Sequence, residues 1–172
     1  DKVAPWFEEL VTIVRQGTAA GSGGVDFSGD YFKVKLSGAR LMDDRPIPVP
    51  PIVGAALNPI MTQRVAKCCD GLALLSIGVA EPYFENVVVP AFRRGRERAG
   101  KPATGGFTCW CITAVHEKRE EARRMARRQL AFYFSTPSYR APSEASGHGA
   151  VVTQLQEAFR GIGAQWNQLA DI

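Results

Sequence analysis

The chain has 172 residues, of which 45% are hydrophobic and 22% are charged, with a formal net charge of +4 at neutral pH. This composition excludes a disordered or fibrous protein, and no window holds the ~18 uncharged apolar residues that a membrane-spanning helix needs. The length predicts a single domain over residues 1–172 with a substantial core. The mildly basic charge suits an anionic cofactor or substrate and does not demand nucleic acid.

The first third of the chain predicts a helix, a hairpin and an extended segment. Apolar side chains recur at helical spacing over residues 3–16, within a helical region at 1–16. Residues 25–36 have the pattern of a β-hairpin with its turn at Ser28-Gly29-Asp30, and Tyr31 and Phe32 are expected in its second strand. The prolines between residues 45 and 51 exclude a helix there.

Three strand–helix units are predicted between residues 51 and 140. Their strands are short apolar runs that suit strands buried on both faces, at 52–57, 72–77 and 107–115. Their helices are expected at 59–69, at about 82–99 with a kink at Pro90, and at 117–135. An irregular break is predicted at 136–149, and a last helix over 150–172 with an interruption near Gly161 and Gly163. Alternating strands and helices imply a parallel sheet with right-handed crossovers.

The turn between the first of these strands and its helix is a candidate phosphate site. Asn58 is a favoured N-cap and Pro59 a favoured first helical residue. The backbone N–H groups at the positive end of a helix dipole attract anions, phosphates above all. Most turns of this kind bind nothing, and this one lacks a full glycine fingerprint. The local pattern therefore leaves both interpretations open.

The cysteines and histidines do not form a metal-binding pattern. Cys68, Cys69, Cys109 and Cys111 lack the CxxC spacing of a zinc site, and no carboxylate lies at ligand spacing from either histidine. We expect reduced, buried thiols in a cytoplasmic protein. Cys109 and Cys111 are two residues apart in a predicted strand, so they are expected on the same face.

One segment resembles a known family: IVGAALNPIMTQRVAKCCDGLALL is similar to the region around the sixth and seventh strands of the luciferase-like monooxygenase superfamily. Members of this superfamily are eight-fold β/α barrels that depend on a flavin or a deazaflavin. The family pattern is a strand, two small residues, a polar turn, a proline and a helix that ends in Ala-Asp-Gly. The matching residues are Ala55, Ala56, Leu57, Asn58, Pro59 and Asp70-Gly71, and Cys69 stands where alanine is usual. The hairpin and the segments 87–101 and 114–140 resemble further family blocks, and RRQLAFYFSTPSYR is similar to the branch that uses the deazaflavin coenzyme F-420 (F420).

The resemblance implies the C-terminal half of a TIM-type (β/α)8 barrel, with three parallel strands, flanking helices and a small β-hairpin, beginning after the family's fifth strand. It implies an intact enzyme that is a monooxygenase or hydride-transferring oxidoreductase, using F420 or FMN on a small organic substrate. Ala56, Leu57 and Asn58 match a turn that contacts the cofactor phosphate in the family. The small side chain of Ala55 beside this turn would allow the phosphate to approach closely. Ser76, which ends the second strand, is either a further cofactor contact or an ordinary turn serine.

His116 and an arginine-rich helix are the remaining candidates. His116 ends the third predicted strand and is either a general acid or base or a solvated strand-end histidine, while His148 is expected at the surface. Arg119, Arg123 and Arg127 share one helix face, and nearby glutamates pair with them at helical spacing. A solvated outer barrel helix is therefore favoured over a nucleic-acid-binding helix.

Two other classes of function stay open. The chain can be a catalytically inactive half-barrel that serves as a binding or self-associating module. Its strand edges would then need to be covered by a second copy or by a complementing N-terminal half-barrel. A basic nucleic-acid module using residues 117–128 is the other alternative, whereas the main interpretation includes neither a nucleic-acid nor a membrane partner.

Overall fold

The computed structural model describes residues 3–19, 24–37 and 48–162. Seven α-helices are defined within these ranges: α1 Val3–Thr18, α2 Pro59–Cys68, α3 Glu81–Tyr83, α4 Val89–Arg98, α5 Arg119–Ser135, α6 Arg140–Ala145 and α7 Gly149–Ile162. The prolines predicted to be extended lie partly outside the described residues, as does the last predicted helix beyond Ile162.

The strands form two separate sheets. β1 Gly24–Ser28 pairs antiparallel with β2 Lys33–Ser37, with Gly24 opposite Ser37. β3 Val53–Ala55, β4 Gly71–Leu75 and β5 Gly106–Trp110 form a three-stranded parallel sheet in the order β3-β4-β5. The predicted order of a helix, a hairpin, three strand–helix units and a final helix is confirmed, and with it the α/β fold of a partial TIM-type barrel.

The chain divides into two compact units. One comprises Asp1–Ala56, Ile60–Leu72 and Ala91–Phe107, and the other comprises Leu57–Pro59, Ala73–Pro90 and Thr108–Ile172. The predicted single domain over residues 1–172 stays a prediction.

The expectation that all three strands are buried on both faces is correct only for β4. Its residues Gly71–Leu74 are buried, and the strand ends at Leu75 rather than at residue 77. In β3, the side chain of Val53 is 47% exposed, and every residue of β5 is exposed. β3 and β5 are the outer strands of the sheet, and apolar composition does not reveal whether a strand is central or at an edge.

The hairpin turn is longer than predicted, because Tyr31 and Phe32 lie in the turn instead of in β2. The carboxylate of Glu9 in α1 accepts hydrogen bonds from the backbone N–H groups of Asp30, Tyr31 and Phe32, at 2.8, 3.0 and 2.9 Å. A Cβ at Gly29 would collide with this carboxylate. A side chain at position 29 would therefore have to displace the Glu9 carboxylate from the three N–H groups that it accepts.

Two predicted irregularities have a different form in the structure. At the predicted kink, a π-helical turn at Phe84–Val88 precedes α4, and the Val89 N–H donates to the Phe84 carbonyl. This wider turn lies just upstream of Pro90, whose ring is incompatible with regular α-helical bonding. The predicted irregular break at 136–149 is wrong, since it contains α6, which an ion pair between Arg140 and Glu144 at 2.7 Å supports.

Helix α2 packs closely against β3 and α4. A Cβ on Gly54 in β3 would lie 2.9 Å from Val65 Cγ1 and 3.0 Å from Cys69 Sγ. A Cβ on Gly95 in α4 would collide with the Gln63 carbonyl. Because backbone meets backbone at Gly95, the two helices approach more closely there than side chains would allow.

Asp70 ties the end of α2 to the residue before β3. Its carboxylate accepts the Ile52 N–H at 2.8 Å and the Arg15 guanidinium at 2.8 Å, and its own N–H donates to the Ile52 carbonyl at 2.8 Å. Although partial loss of hydration opposes the effect, these two donors hold the pKa of Asp70 below its ordinary value. The next residue, Gly71, lies so near the Gly106 carbonyl that a Cβ would come within 2.9 Å of it.

The substitution Gly95→Ala tests the close approach of α4 to α2. We expect it to lower the free energy of unfolding by about 2–3 kcal/mol, because the new methyl group forces the helices apart. The control is Gly161→Ala in α7, where nothing lies within 4 Å of the added Cβ and alanine favours the helix. Urea denaturation measures both, and equal stability of the two variants would contradict the packing described.

The substitution Asp70→Asn tests the link between α2 and β3. We expect it to lower the free energy of unfolding by about 1 kcal/mol at pH 7. The effect is this small because the Asp70 side chain is 41% exposed and solvent screens its charge. The pKa of Asp70 is lower in the folded protein than in the unfolded chain. The stabilisation by its charge is therefore fully present above the unfolded-state pKa of about 3.9 and is lost as the pH falls through the folded-state pKa. The difference between wild type and variant should therefore shrink below about pH 4.

The control for this test is Asp26→Asn, which removes an exposed ion pair with Lys35 at 3.8 Å. Exposed pairs contribute less than about 1 kcal/mol, so this variant should unfold almost as wild type does. If the difference in free energy of unfolding between wild type and Asp70→Asn did not change with pH, the charge of Asp70 would not contribute to stability.

Candidate functional site

The turn between β3 and α2 has the predicted geometry. Ala55 is the last residue of β3, Ala56 and Leu57 lead to Asn58, and α2 begins at Pro59. Ala55 and Asn58 are exposed, whereas Ala56 and Leu57 are half-buried. The turn therefore lies at the carboxyl end of a parallel strand, where β/α barrels bind their ligands.

Two residues that the sequence did not single out support this turn. The Tyr83 hydroxyl donates a hydrogen bond to the Leu57 carbonyl at 3.1 Å. Burial raises the pKa of this phenol, which is only 4% exposed. A Cβ on Gly78 would collide with Leu57 Cδ1, so this glycine allows the turn to pack closely. No local signal could have identified these contacts, because they join the turn to residues more than twenty positions later.

Ser76 follows β4, as predicted. It is half-buried and begins a 3₁₀ helix, Ser76–Val79. The same short helix carries Gly78, which packs against Leu57. The element that carries Ser76 therefore lies against the turn that carries Leu57 and Asn58.

The electrostatic asymmetry of α2 favours an anion at its start. Its first turn contains no acidic residue. At its other end, Arg15 donates to the Cys68 carbonyl at 3.1 Å, and Arg96 and Lys101 donate to the Cys69 carbonyl at 3.2 and 3.3 Å. These cations complement the negative, carboxyl-terminal end of the α2 dipole. No carboxylate in the first turn of α2 neutralises its positive end.

Arg96 is the most buried of these cations. Its guanidinium lies over the Phe92 ring, 5.0 Å from the centroid, and donates to the Asp70 carbonyl at 2.7 Å. Its Nε has no hydrogen-bond partner among the described residues. Two carbonyl acceptors and one aromatic face thus compensate the burial of this charge.

His116 does not end a strand, because β5 already ends at Trp110. The imidazole is exposed, and its Nδ1 accepts the Lys118 N–H at 3.0 Å, just before α5 begins. The predicted position is therefore wrong, while the proposed acid–base role stays a prediction. His148 is exposed, as predicted, and its ring stacks on Phe134 with the centroids 6.4 Å apart.

The cysteines differ from the expectation of four buried thiols. Cys69 is buried and Cys68 is half-buried, but Cys109 and Cys111 are exposed because all of β5 is exposed. All four are free, and the predicted common face of Cys109 and Cys111 is confirmed by a distance of 3.8 Å between their sulfurs. No group of three metal-ligating side chains occurs within the described residues.

Charged side chains along α5 pair with each other. Arg123 contacts Glu120 and Arg124 contacts Glu121, each at 2.9 Å, and all four residues are at least partly exposed. These pairs agree with a solvated outer helix. Within the described ranges, none of the helices is long and apolar enough to cross a membrane.

Comparison with known proteins identifies relatives of this chain. A family model described as luciferase-like monooxygenase matches residues 1–170. An uncharacterised protein of Mycobacterium tuberculosis is 32% identical over 135 residues, which cover 75% of this chain and 39% of the relative. An F420-dependent glucose-6-phosphate dehydrogenase of Mycolicibacterium fortuitum is 35% identical over 83 residues, which cover 46% of this chain and 22% of the relative.

A solved structure shares the fold. It is the coenzyme F420-dependent tetrahydromethanopterin reductase from Methanopyrus kandleri, with a TM-score of 0.63 and 18% sequence identity. The match covers 98% of this chain and 46% of that structure, so the chain spans less than half the length of the relatives it matches. Because the family model matches nearly every residue, the chain belongs to the luciferase-like monooxygenase family.

Proposed function

We propose that this chain supplies the cofactor-phosphate turn and one wall of the active-site pocket of an oxidoreductase that acts on a small organic substrate. The intact enzyme transfers hydride between the substrate and F420 or FMN. The observation that carries this proposal is the start of α2 at the carboxyl end of β3, headed by Asn58 and supported by Tyr83. Family membership supports the oxidoreductase class.

The residues at the turn fit the phosphate of such a cofactor. Ala55 and Ala56 are small, Asn58 is exposed, and the first turn of α2 carries no carboxylate that would repel a phosphate. Backbone N–H groups in the first turn of a helix lack intrahelical partners, and an anion is a favourable acceptor for them. The amides that follow Asn58 would hold the phosphate, and Ser76 stays either a further cofactor contact or an ordinary turn serine.

When bound, the deazaflavin or flavin ring supplies the hydride chemistry, and the protein supplies position and electrostatics. The relatives named above as F420-dependent enzymes favour F420 over FMN for the parent of this chain. His116 is the candidate proton donor or acceptor. Its Nδ1 is engaged by the Lys118 N–H, which leaves proton exchange to Nε2. A cytoplasmic location is part of the proposal, supported by four free thiols.

A second candidate function is a half-barrel that binds or self-associates without catalysis. The exposed outer strand β5 favours it, since the side chain of Trp110 is 67% exposed. We propose that an N-terminal half-barrel of the same family covers this strand, because the solved relative has more than half of its length outside the match. A homo-oligomer is the alternative.

The substitution Asn58→Asp tests the phosphate turn. Aspartate caps a helix as well as asparagine does, and its charge suits the dipole, so the free energy of unfolding should stay equal or rise. The same charge repels a phosphate, so the dissociation constant for F420 or FMN should rise at least about tenfold, or about 1.4 kcal/mol. Fluorescence titration of the full chain with each cofactor measures this change.

The control is Asn86→Asp, which makes the same change of charge in an exposed asparagine of the π-helical turn. It should bind the cofactor as wild type does. Because Asn86 Nδ2 donates to the Pro82 carbonyl at 2.9 Å, the free energy of unfolding of this control is measured as well. Equal weakening by both substitutions would remove the turn from the proposal. A folded wild-type chain that binds neither cofactor would rule out an active enzyme for this chain by itself and leave the second candidate function.

The substitution Trp110→Glu tests the covering of β5. We expect it to weaken self-association, or association with a co-expressed N-terminal segment of a full-length family member, at least about tenfold, because a charge in a buried apolar contact is costly. The stability of the isolated chain should change little, since this side chain is exposed. Native mass spectrometry measures the assemblies, with Val151→Glu, at an exposed apolar residue of α7, as the control.

If Trp110→Glu and the control associate equally, β5 is not the contact. If the wild-type chain remains a monomer in both experiments, neither partner covers this strand.

A further inference from the structure

Two thiols that the proposed function does not use lie side by side, and both are exposed as long as no partner covers β5. Cys109 belongs to β5, and Cys111 follows the last residue of that strand. Both thiols are free and exposed, and their sulfur atoms are 3.8 Å apart. The alternation of side chains along an extended strand places them on one face, with the bulky Trp110 side chain on the other.

The second pair of cysteines shows that sulfur separation alone does not determine reactivity. Cys68 and Cys69 have sulfurs 3.9 Å apart, but Cys69 is completely buried. The hydrogen bond with Cys68 and burial both raise the pKa of the Cys69 thiol, while the same hydrogen bond lowers the pKa of the Cys68 thiol. Burial and the hydrogen bond with Cys111 also raise the pKa of the Cys109 thiol, so the two pairs differ in the access of a reagent to Cys69 and not in acidity. A bond between adjacent residues also closes a smaller ring than a bond across one intervening residue.

The backbone around Cys111 can adapt to a disulfide. Two residues along a strand have Cα atoms about 6.6–6.8 Å apart, at the upper limit of the usual range for disulfides. Cys111 lies outside β5, so a small shift toward Cys109 costs no hydrogen bond within the strand itself. A disulfide formed near the geometric limit and exposed to solvent is easily reduced again.

We propose that Cys109 and Cys111 form a reversible disulfide by exchange with a low-molecular-weight disulfide. One thiolate attacks a sulfur of that molecule, which forms a mixed disulfide and releases one small thiol. The second cysteine, as its thiolate, attacks the protein sulfur of the mixed disulfide, which closes the Cys109–Cys111 bond and releases the second small thiol. The two cysteines lose two protons and two electrons in total, and the small disulfide takes up both.

The test uses the full chain and oxidised glutathione. Trypsin separates the two pairs, since one peptide, residues 99–118, holds Cys109 and Cys111, while another, residues 68–93, holds Cys68 and Cys69. We expect the first peptide to lose about 2 Da, the mass of two hydrogens, and to regain it with dithiothreitol. The peptide that holds the other pair should lose two hydrogens at least about tenfold more slowly in the folded protein, because closing that bond needs the buried Cys69.

Single variants separate ring closure from simple modification. Cys109→Ser and Cys111→Ser should each stop at the mixed disulfide, with one stable glutathione adduct on peptide 99–118. Cys68→Ser should oxidise at the Cys109 and Cys111 pair as wild type does. Two glutathione adducts on the wild-type peptide, an unmodified peptide, or faster oxidation of the Cys68 and Cys69 pair would each overturn the proposal.

Discussion

The cluster at the carboxyl end of α2 is the interaction on which the described site depends. Arg15, Arg96 and Lys101 donate to the carbonyls that end this helix, and Asp70 joins the same point to Ile52 at the start of β3. Cations near the last carbonyls complement the helix dipole, while the carboxylate neutralises part of their charge. One short turn joins the end of β3 to the start of α2. Because Asp70 ties the start of β3 to the end of α2, this turn has less freedom to move.

The same helix thus has different chemistry at its two ends. The end with cations stabilises the fold, and the end headed by Asn58 lacks acidic residues and faces outward. A second set of contacts supports that turn, since Tyr83 donates to the Leu57 carbonyl and Gly78 leaves room for the Leu57 side chain. A turn that is positioned before a ligand arrives loses less conformational entropy on binding.

Local chemistry explains what could be predicted from the sequence. The start of α2 was predictable because the preferences for asparagine before a helix and for proline at its first position depend only on neighbouring residues. Helix α6 was missed because Pro137 and Pro142 suggest a loop, although Pro142 lies in the first turn of the helix, where proline is tolerated. The hydrogen bonds of Glu9 to the hairpin and of Tyr83 to Leu57 join distant residues, and no periodicity in the sequence encodes such pairs.

Because β5 is exposed, phosphate binding and catalysis make different demands on this chain in the proposed function. An apolar pattern such as FTCWC indicates which side chains favour burial, but it does not indicate which part of the molecule, or which partner, covers them. The contacts that support the turn at Asn58 all come from this chain, from Tyr83, Gly78 and the anchor at Asp70. The proposed phosphate subsite therefore needs residues of this chain only, whereas the proposed closed pocket would need β5 to be covered. In the proposed function, activity as an enzyme would therefore depend on what covers β5, whereas phosphate binding would depend on the turn.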